Sequence, residues 1–143
     1  MGIKLGLFMM PNHPPTVSIN DAHDFDVETI VVADKLGFHE AWVGEHFTAP
    51  WEPIPSPDIL IAQALLKTKN IRLGAGAHLL PYHHPVELAQ RISYLDHLSR
   101  GRLLVGIGAG GLPSDAEIFN VDIQAGENRV MTREALDIML FLW

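Results

Sequence analysis

Ile71-Arg72-Leu73-Gly74-Ala75-Gly76-Ala77-His78-Leu79-Leu80-Pro81-Tyr82-His83-His84-Pro85, continued by Val86–Leu98, holds one complete unit of structure. Ile71–Ala75 is a short, near-continuous apolar run, the mark of a parallel strand buried on both faces. A longer segment rich in Gly, His and Pro follows, and Pro85 then opens a helix over Val86–Leu98 that closes on Arg100 and Gly101. Working outward, strand-like runs recur at Ile3–Phe8, Glu40–Gly44 and Leu103–Ile107, so successive runs start 31–37 residues apart. A period near 31 is what eight strand–helix units give in a TIM barrel of about 250 residues. A chain of 143 residues has room for four such units. The expected fold class is therefore α/β, with parallel (βα) units forming the N-terminal half of a TIM barrel. Residues 1–143 read as one incomplete barrel domain, which self-association could complete.

The remaining helix signals agree. A helix over about Val27–Leu36 stops at Gly37. Ser56-Pro57-Asp58 supplies an N-cap, a proline at the first position and an early carboxylate for Ile59–Lys67. A last helix, about Met131–Trp143, places Met131, Ala135, Ile138 and Leu142 on one stripe and meets no stop signal.

Composition narrows the partners. Ten basic against seventeen acidic residues give a net charge of −7 with no Lys/Arg cluster, which argues against nucleic acid or an anionic membrane surface. The absence of cysteine fits a reducing cytoplasm and excludes thiol chemistry. The apolar start breaks at Pro11 with no small-residue cleavage site, so it reads as a first strand and not as a signal peptide. No apolar window is long enough to span a bilayer. Cytoplasmic localisation is the expectation.

The connections are unequal. Helix-to-strand links are short and plain, whereas Met9–Asp26, Glu45–Ser56, Gly76–His84 and Gly108–Asp115 are long and hold six of the eight histidines. Ligands bind at the carboxyl ends of strands in parallel α/β folds. His46, next to Glu45 at the end of the second strand, can exchange a proton near neutral pH or simply cap loop backbone. Gly74-Ala75-Gly76-Ala77 before His78 allows close approach of a flat ligand or tight packing at a barrel corner. His78, His83 and His84 put three imidazoles within seven residues. Adjacent histidines between prolines seldom converge on one ion, and no Cys or paired Asp/Glu completes the set, so no metal is expected. Gly106-Ile107-Gly108-Ala109-Gly110-Gly111 contains the letters of a dinucleotide fingerprint, but Leu112-Pro113-Ser114-Asp115 follows where a helix should open. A glycine-lined cofactor wall is the better reading, with a Rossmann-like nucleotide binder as the alternative.

Taken in order, Ala41-Trp42-Val43-Gly44-Glu45-His46-Phe47, Pro55-Ser56-Pro57-Asp58, Leu79–Pro85, Leu95-Asp96-His97-Leu98-Ser99-Arg100-Gly101-Arg102 and Gly108–Asp115 resemble the bacterial luciferase-like flavin monooxygenases, within them the limonene monooxygenase-like branch. The resemblance runs from the first strand to the last helix. It implies an oxidoreductase, a two-component monooxygenase whose reduced FMN comes from a separate flavin reductase. It also implies that one oxygen atom from O2 enters an apolar organic substrate through a flavin C4a-hydroperoxide. By position, His46 matches the family's catalytic histidine beside the reactive edge of the flavin. Gly76, Ala77 and His78, with Gly108, Ala109 and Gly110, match the cofactor-binding wall, and Gly76-Ala77 is where relatives hold a non-proline cis peptide. Luciferase itself carries a phosphate-binding arginine near Ala109, which this chain lacks. Family members are more than twice as long, so a fragment, or a homo-oligomer of paired half-barrels, is expected; a non-catalytic half-barrel module is the other alternative.

Overall fold

The computed structural model describes residues 2–143. Four strands, β1 (Gly6–Met9), β2 (Glu40–Val43), β3 (Arg72–Leu79) and β4 (Leu103–Gly108), form one parallel sheet in the order β1-β2-β3-β4. The helices that follow them are α1 (Ile19–Lys35), α2 (Pro57–Lys67), α3 (Pro85–Ser99), the short α4 (Pro113–Ile118) and α5 (Glu127–Leu142). A one-turn 3-10 segment, Leu80–Tyr82, joins β3 to α3. Strand order follows chain order without reversal. A doubly wound sheet reverses at a switch point; none exists among the described residues, which removes the topological basis of the Rossmann-like alternative.

Side-chain alternation divides the sheet. Ala41, Val43, Leu73 and Ala75 are buried, and the first three pack with Val27, Ile30, Leu60, Ile61 and Ala64 in a core between sheet and helices. The opposite, concave face carries Phe8, Trp42, Gly74, Leu104 and Gly106. There Phe8 is 63% exposed, because the described residues provide no second half to cover it.

The sequence boundaries shift in instructive ways. Helix α1 begins at Ile19, well before Val27, because Ser18 caps it: its Oγ accepts the Asp21 N–H at 3.1 Å. Strand β3 runs on past Ala75 to Leu79 through an irregularity between Ala75 and His78. Leu112–Asp115, read as loop or a late N-cap, is the second: Leu112 caps α4 and Pro113–Asp115 form its first turn.

The short links are clasped from below. The Asp34 carboxylate accepts the backbone N–H groups of Lys69, Asn70 and Ile71 at 2.9, 2.9 and 2.7 Å, fastening the turn between α2 and β3 to the end of α1. The Arg102 guanidinium donates to Thr68 Oγ1, Ile71 O and Leu65 O at 3.1–3.3 Å. This end of the sheet is built for stability, which leaves the carboxyl end for chemistry.

Gly106 sits where no side chain fits: a Cβ there would lie 2.3 Å from the Ala75 carbonyl oxygen. Gly106→Ala is expected to destabilise the chain by about 2 kcal/mol in urea unfolding, whereas Gly111→Ala, with open space around it, should be close to neutral. Equal stability of the two variants would contradict this packing.

Candidate active site

The loops after β2 and β4 are joined by one carboxylate. Asp115, in the first turn of α4, is fully buried. Its Oδ2 lies 3.0 Å from His46 Nδ1. Its Oδ1 accepts the Phe47 and Thr48 backbone N–H groups at 3.1 and 2.8 Å and the Thr48 hydroxyl at 2.6 Å. Burial alone would raise the Asp115 pKa, but the donors from Thr48, His46 and Phe47 together outweigh it and hold the carboxyl below the usual range. An ionised acceptor at Nδ1 fixes the tautomer: His46 carries its proton on Nδ1 and turns Nε2 outward, 3.4 Å from Glu52 Oε2. The His46 side chain keeps 26% of its surface open, enough to meet a ligand.

Glu45 points the other way. It is buried, its Oε2 accepts the Leu79 N–H at 2.7 Å, and its Oε1 lies 2.8 Å from His83 Nε2. One member of the Glu45-His46 pair therefore reaches the mouth while the other props the end of β3 from behind.

Beside this pair lies a ledge with few side-chain atoms. The Gly76–Ala77 peptide bond is cis, at the place the family resemblance implies. Both residues are half-buried. Gly108 adjoins them: a Cβ on it would touch Leu79 and the Ala77 methyl at 3.2 and 3.4 Å. Ala109 is half-buried next to it. Gly110, with φ 73°, turns the chain against Tyr82, whose hydroxyl leaves no room for a Cβ. The Asn128 amide donates to the Gly110 carbonyl at 2.9 Å, and Tyr82 stacks on Phe119 with ring centroids 4.7 Å apart. Burial, helped by the charge of Asp115, pushes the Tyr82 hydroxyl pKa up.

His78 is the expected cofactor-binding residue whose side chain the structure does not bring to this ledge. Plain alternation along β3 would align it with Gly74 and Gly76. Ala75 pairs with Val105 and His78 with Ile107, however, so β3 advances three residues while β4 advances two. That extra residue reverses the phase and sends the imidazole into the helix layer, 3% exposed, with Nε2 3.3 Å from Asp58 Oδ1. Burial holds its pKa below the ordinary histidine value despite the nearby carboxylates of Asp58 and Glu45. Asp115, Thr48 and Glu52 are the site residues that sequence reasoning did not assign; Asp115 stands 69 residues from His46, and no spacing rule connects them.

A flavin can be tested against this surface. The low ledge of Gly76, Ala77 and Gly108 beside His46 suits a flat ring. The phosphate end fares differently: none of the segments 10–18, 44–56, 80–84 and 109–112 contains Lys or Arg. These residues fit the ring portion of FMN and offer its phosphate no Lys or Arg.

Comparison with known proteins agrees with the geometry. The Luciferase-like monooxygenase family model matches residues 3–143. The 4-hydroxyprotoasukamycin monooxygenase of Streptomyces nodosus subsp. asukaensis is 42% identical over 137 residues, covering 96% of this chain and 36% of that protein. Limonene 1,2-monooxygenase of Rhodococcus erythropolis is 39% identical over 137 residues, covering 96% of this chain and 35% of that protein. The solved structure of the oxygenating constituent of 3,6-diketocamphane monooxygenase from Pseudomonas putida, a type II Baeyer–Villiger monooxygenase in complex with FMN, superposes with a TM-score of 0.93 at 37% identity over 97% of this chain and 38% of that one. The chain thus spans little more than a third of the length of these relatives. With its half-barrel topology and matched residues, the chain belongs to the luciferase-like monooxygenase family.

Proposed function

We propose that this chain forms the first four βα units of the oxygenase component of a two-component, FMN-dependent monooxygenase acting on an apolar organic substrate. The observation that carries this reading is the His46–Asp115 pair, set beside the Gly76-Ala77 and Gly108 ledge. Reduced FMN, delivered by a separate reductase, supplies the electrons that activate O2 when it is bound. This chain's own residues orient and protect. Gly76, Ala77, Gly108, Ala109 and Gly110 let the ring approach the backbone, and His46 offers Nε2 as the group that gives or takes a proton at the reacting edge. Asp115 keeps that imidazole in one tautomer. Phe47, Tyr82 and Phe119, packed edge-to-face and stacked, form an apolar wall behind it that excludes water.

Fluorescence-quenching titration of the chain is expected to show saturable flavin binding, with riboflavin bound about as well as FMN because no cation here meets the phosphate. Absence of quenching by both would remove this ledge as a flavin surface. His46→Ala should leave that binding intact and, in the assembled oxygenase, lower turnover by about 10²–10⁴-fold; unchanged turnover would remove His46 from its role. Asp115 has a folded-state pKa below its unfolded value, so its contribution to stability is present above about pH 4 and is lost as pH falls through the folded value. Asp115→Asn is expected to cost about 2–3 kcal/mol in urea unfolding at pH 7 and to flatten the acid limb of the stability profile. An unaltered profile would show that the carboxylate does not hold the loop.

A further inference from the structure

Behind the site, on the helix side of the sheet, lies a second cluster that the flavin reading does not use. Glu45, His78 and His83 each direct one donor atom inward, and these atoms lie within 4.8 Å of one another. The sequence offered His78, His83 and His84 with no carboxylate. The fold drops the exposed His84 and supplies Glu45 from the neighbouring strand's end.

Hydrogen bonding accounts for only part of this cluster. His83 Nε2 and Glu45 Oε1 are 2.8 Å apart, and the Leu79 N–H occupies Glu45 Oε2. His78 remains unexplained: its side chain is 4% exposed and its Nδ1 has no hydrogen-bond partner. Its other nitrogen, Nε2, faces Asp58 Oδ1 at 3.3 Å. Asp58 Oδ1 likewise has no hydrogen-bond partner, so a buried imidazole and the carboxylate beside it are both left with unsatisfied polar atoms, and a metal-bound His78 could donate its other ring N–H to that carboxylate. Charge is consistent as well. Glu45 and Asp58 are buried carboxylates, and the cation beside them, Arg91, donates to Asp58 and, at 2.8 Å, to Glu87, and lies 3.5 Å from His83 Nδ1. A divalent ion would balance the excess negative charge. Access comes from a cavity of about 630 Å³ between α2 and α3, lined by Asp58, His83, Arg91, Tyr94 and Leu98 among others.

We propose that Glu45, His78 and His83 form a binding site for a divalent transition metal of the zinc type. Two imidazoles and one carboxylate are a common zinc donor set, with a fourth position left to water. Donor atoms around tetrahedral zinc stand about 3.3 Å apart, so small side-chain rotations close the set around an ion. The metal would clasp the end of β2 to the end of β3 and the turn after it, directly behind His46.

The test is calorimetric titration of the chelator-treated full chain with Zn²⁺, without flavin, so that the result is independent of the cofactor reading. One Zn²⁺ per chain is expected. Affinity should fall at least tenfold in His83→Asn and in Glu45→Gln, and should hold in His84→Asn, which removes a neighbouring exposed imidazole. Asp58→Asn should weaken binding about 10–100-fold. Cobalt substitution gives a second readout on the unaltered chain, with visible bands of a low-coordinate His/carboxylate site expected even where a variant fails to fold. No stoichiometric binding, binding unchanged in both ligand variants, or a cobalt spectrum of the hydrated ion alone would overturn the proposal.

Discussion

One indole ring decides how strands β2, β3 and β4 fit together on their concave side. A Cβ on Gly74 would lie 2.8 Å from the Trp42 ring, one on Gly106 3.2 Å from the same ring atom, and one on Gly76 3.2 Å from the Trp42 Cβ. Trp42 therefore reaches across β3 to β4, in space that three missing side chains leave open. Close packing of this kind tolerates little added volume. It also sets the height of the surface: with the indole seated low, the sheet end beyond it stays flat, and that flat end is the ledge beside His46.

This seating separates two meanings of small residues that the sequence presents alike. Gly74 and Gly106 serve packing, since their missing Cβ atoms make room for Trp42. Ala77, Gly108 and Gly110 lie beyond the indole, at the carboxyl ends of β3 and β4, where ligands meet a barrel. Gly76 belongs to both sets. Within the run from Gly74 to Ala77 the packing role belongs to Gly74 and, in part, Gly76, while Ala77 lies at the strand end where a ligand would approach.

Much of the architecture was legible for a physical reason. Parallel strands buried under helices need near-continuous apolar runs, and short links between helix and strand set a regular period, so both survive as patterns in the chain. The end of β3 was not legible in the same way. Register there depends on one additional residue between Ala75 and His78, and the glycine and alanine that accommodate it look no different from regular strand. Alternation alone keeps His78 with Gly76, whereas the irregularity places it against Asp58. Asp115 was hidden by distance. It stands in the first turn of α4, but its value lies in four donors from a loop more than sixty residues earlier.

Glu45 and His46 show how adjacent residues divide labour at the end of a parallel strand. His46, freed from the sheet, is claimed by the carboxylate after β4, so its position depends on how β4 and α4 enter the site. Glu45, turned inward, is claimed by the Leu79 N–H and His83 after β3. The loop after β2 is thus fastened on both sides by ionic hydrogen bonds, which are stronger than neutral ones. Neither bond uses a group from another part of a barrel. The orientation of His46 is consequently a property of these four βα units themselves, while the phosphate end of a flavin, for which their loops carry no cation, is not. The catalytic edge and the anchoring end of the cofactor would then fall to different halves of the fold.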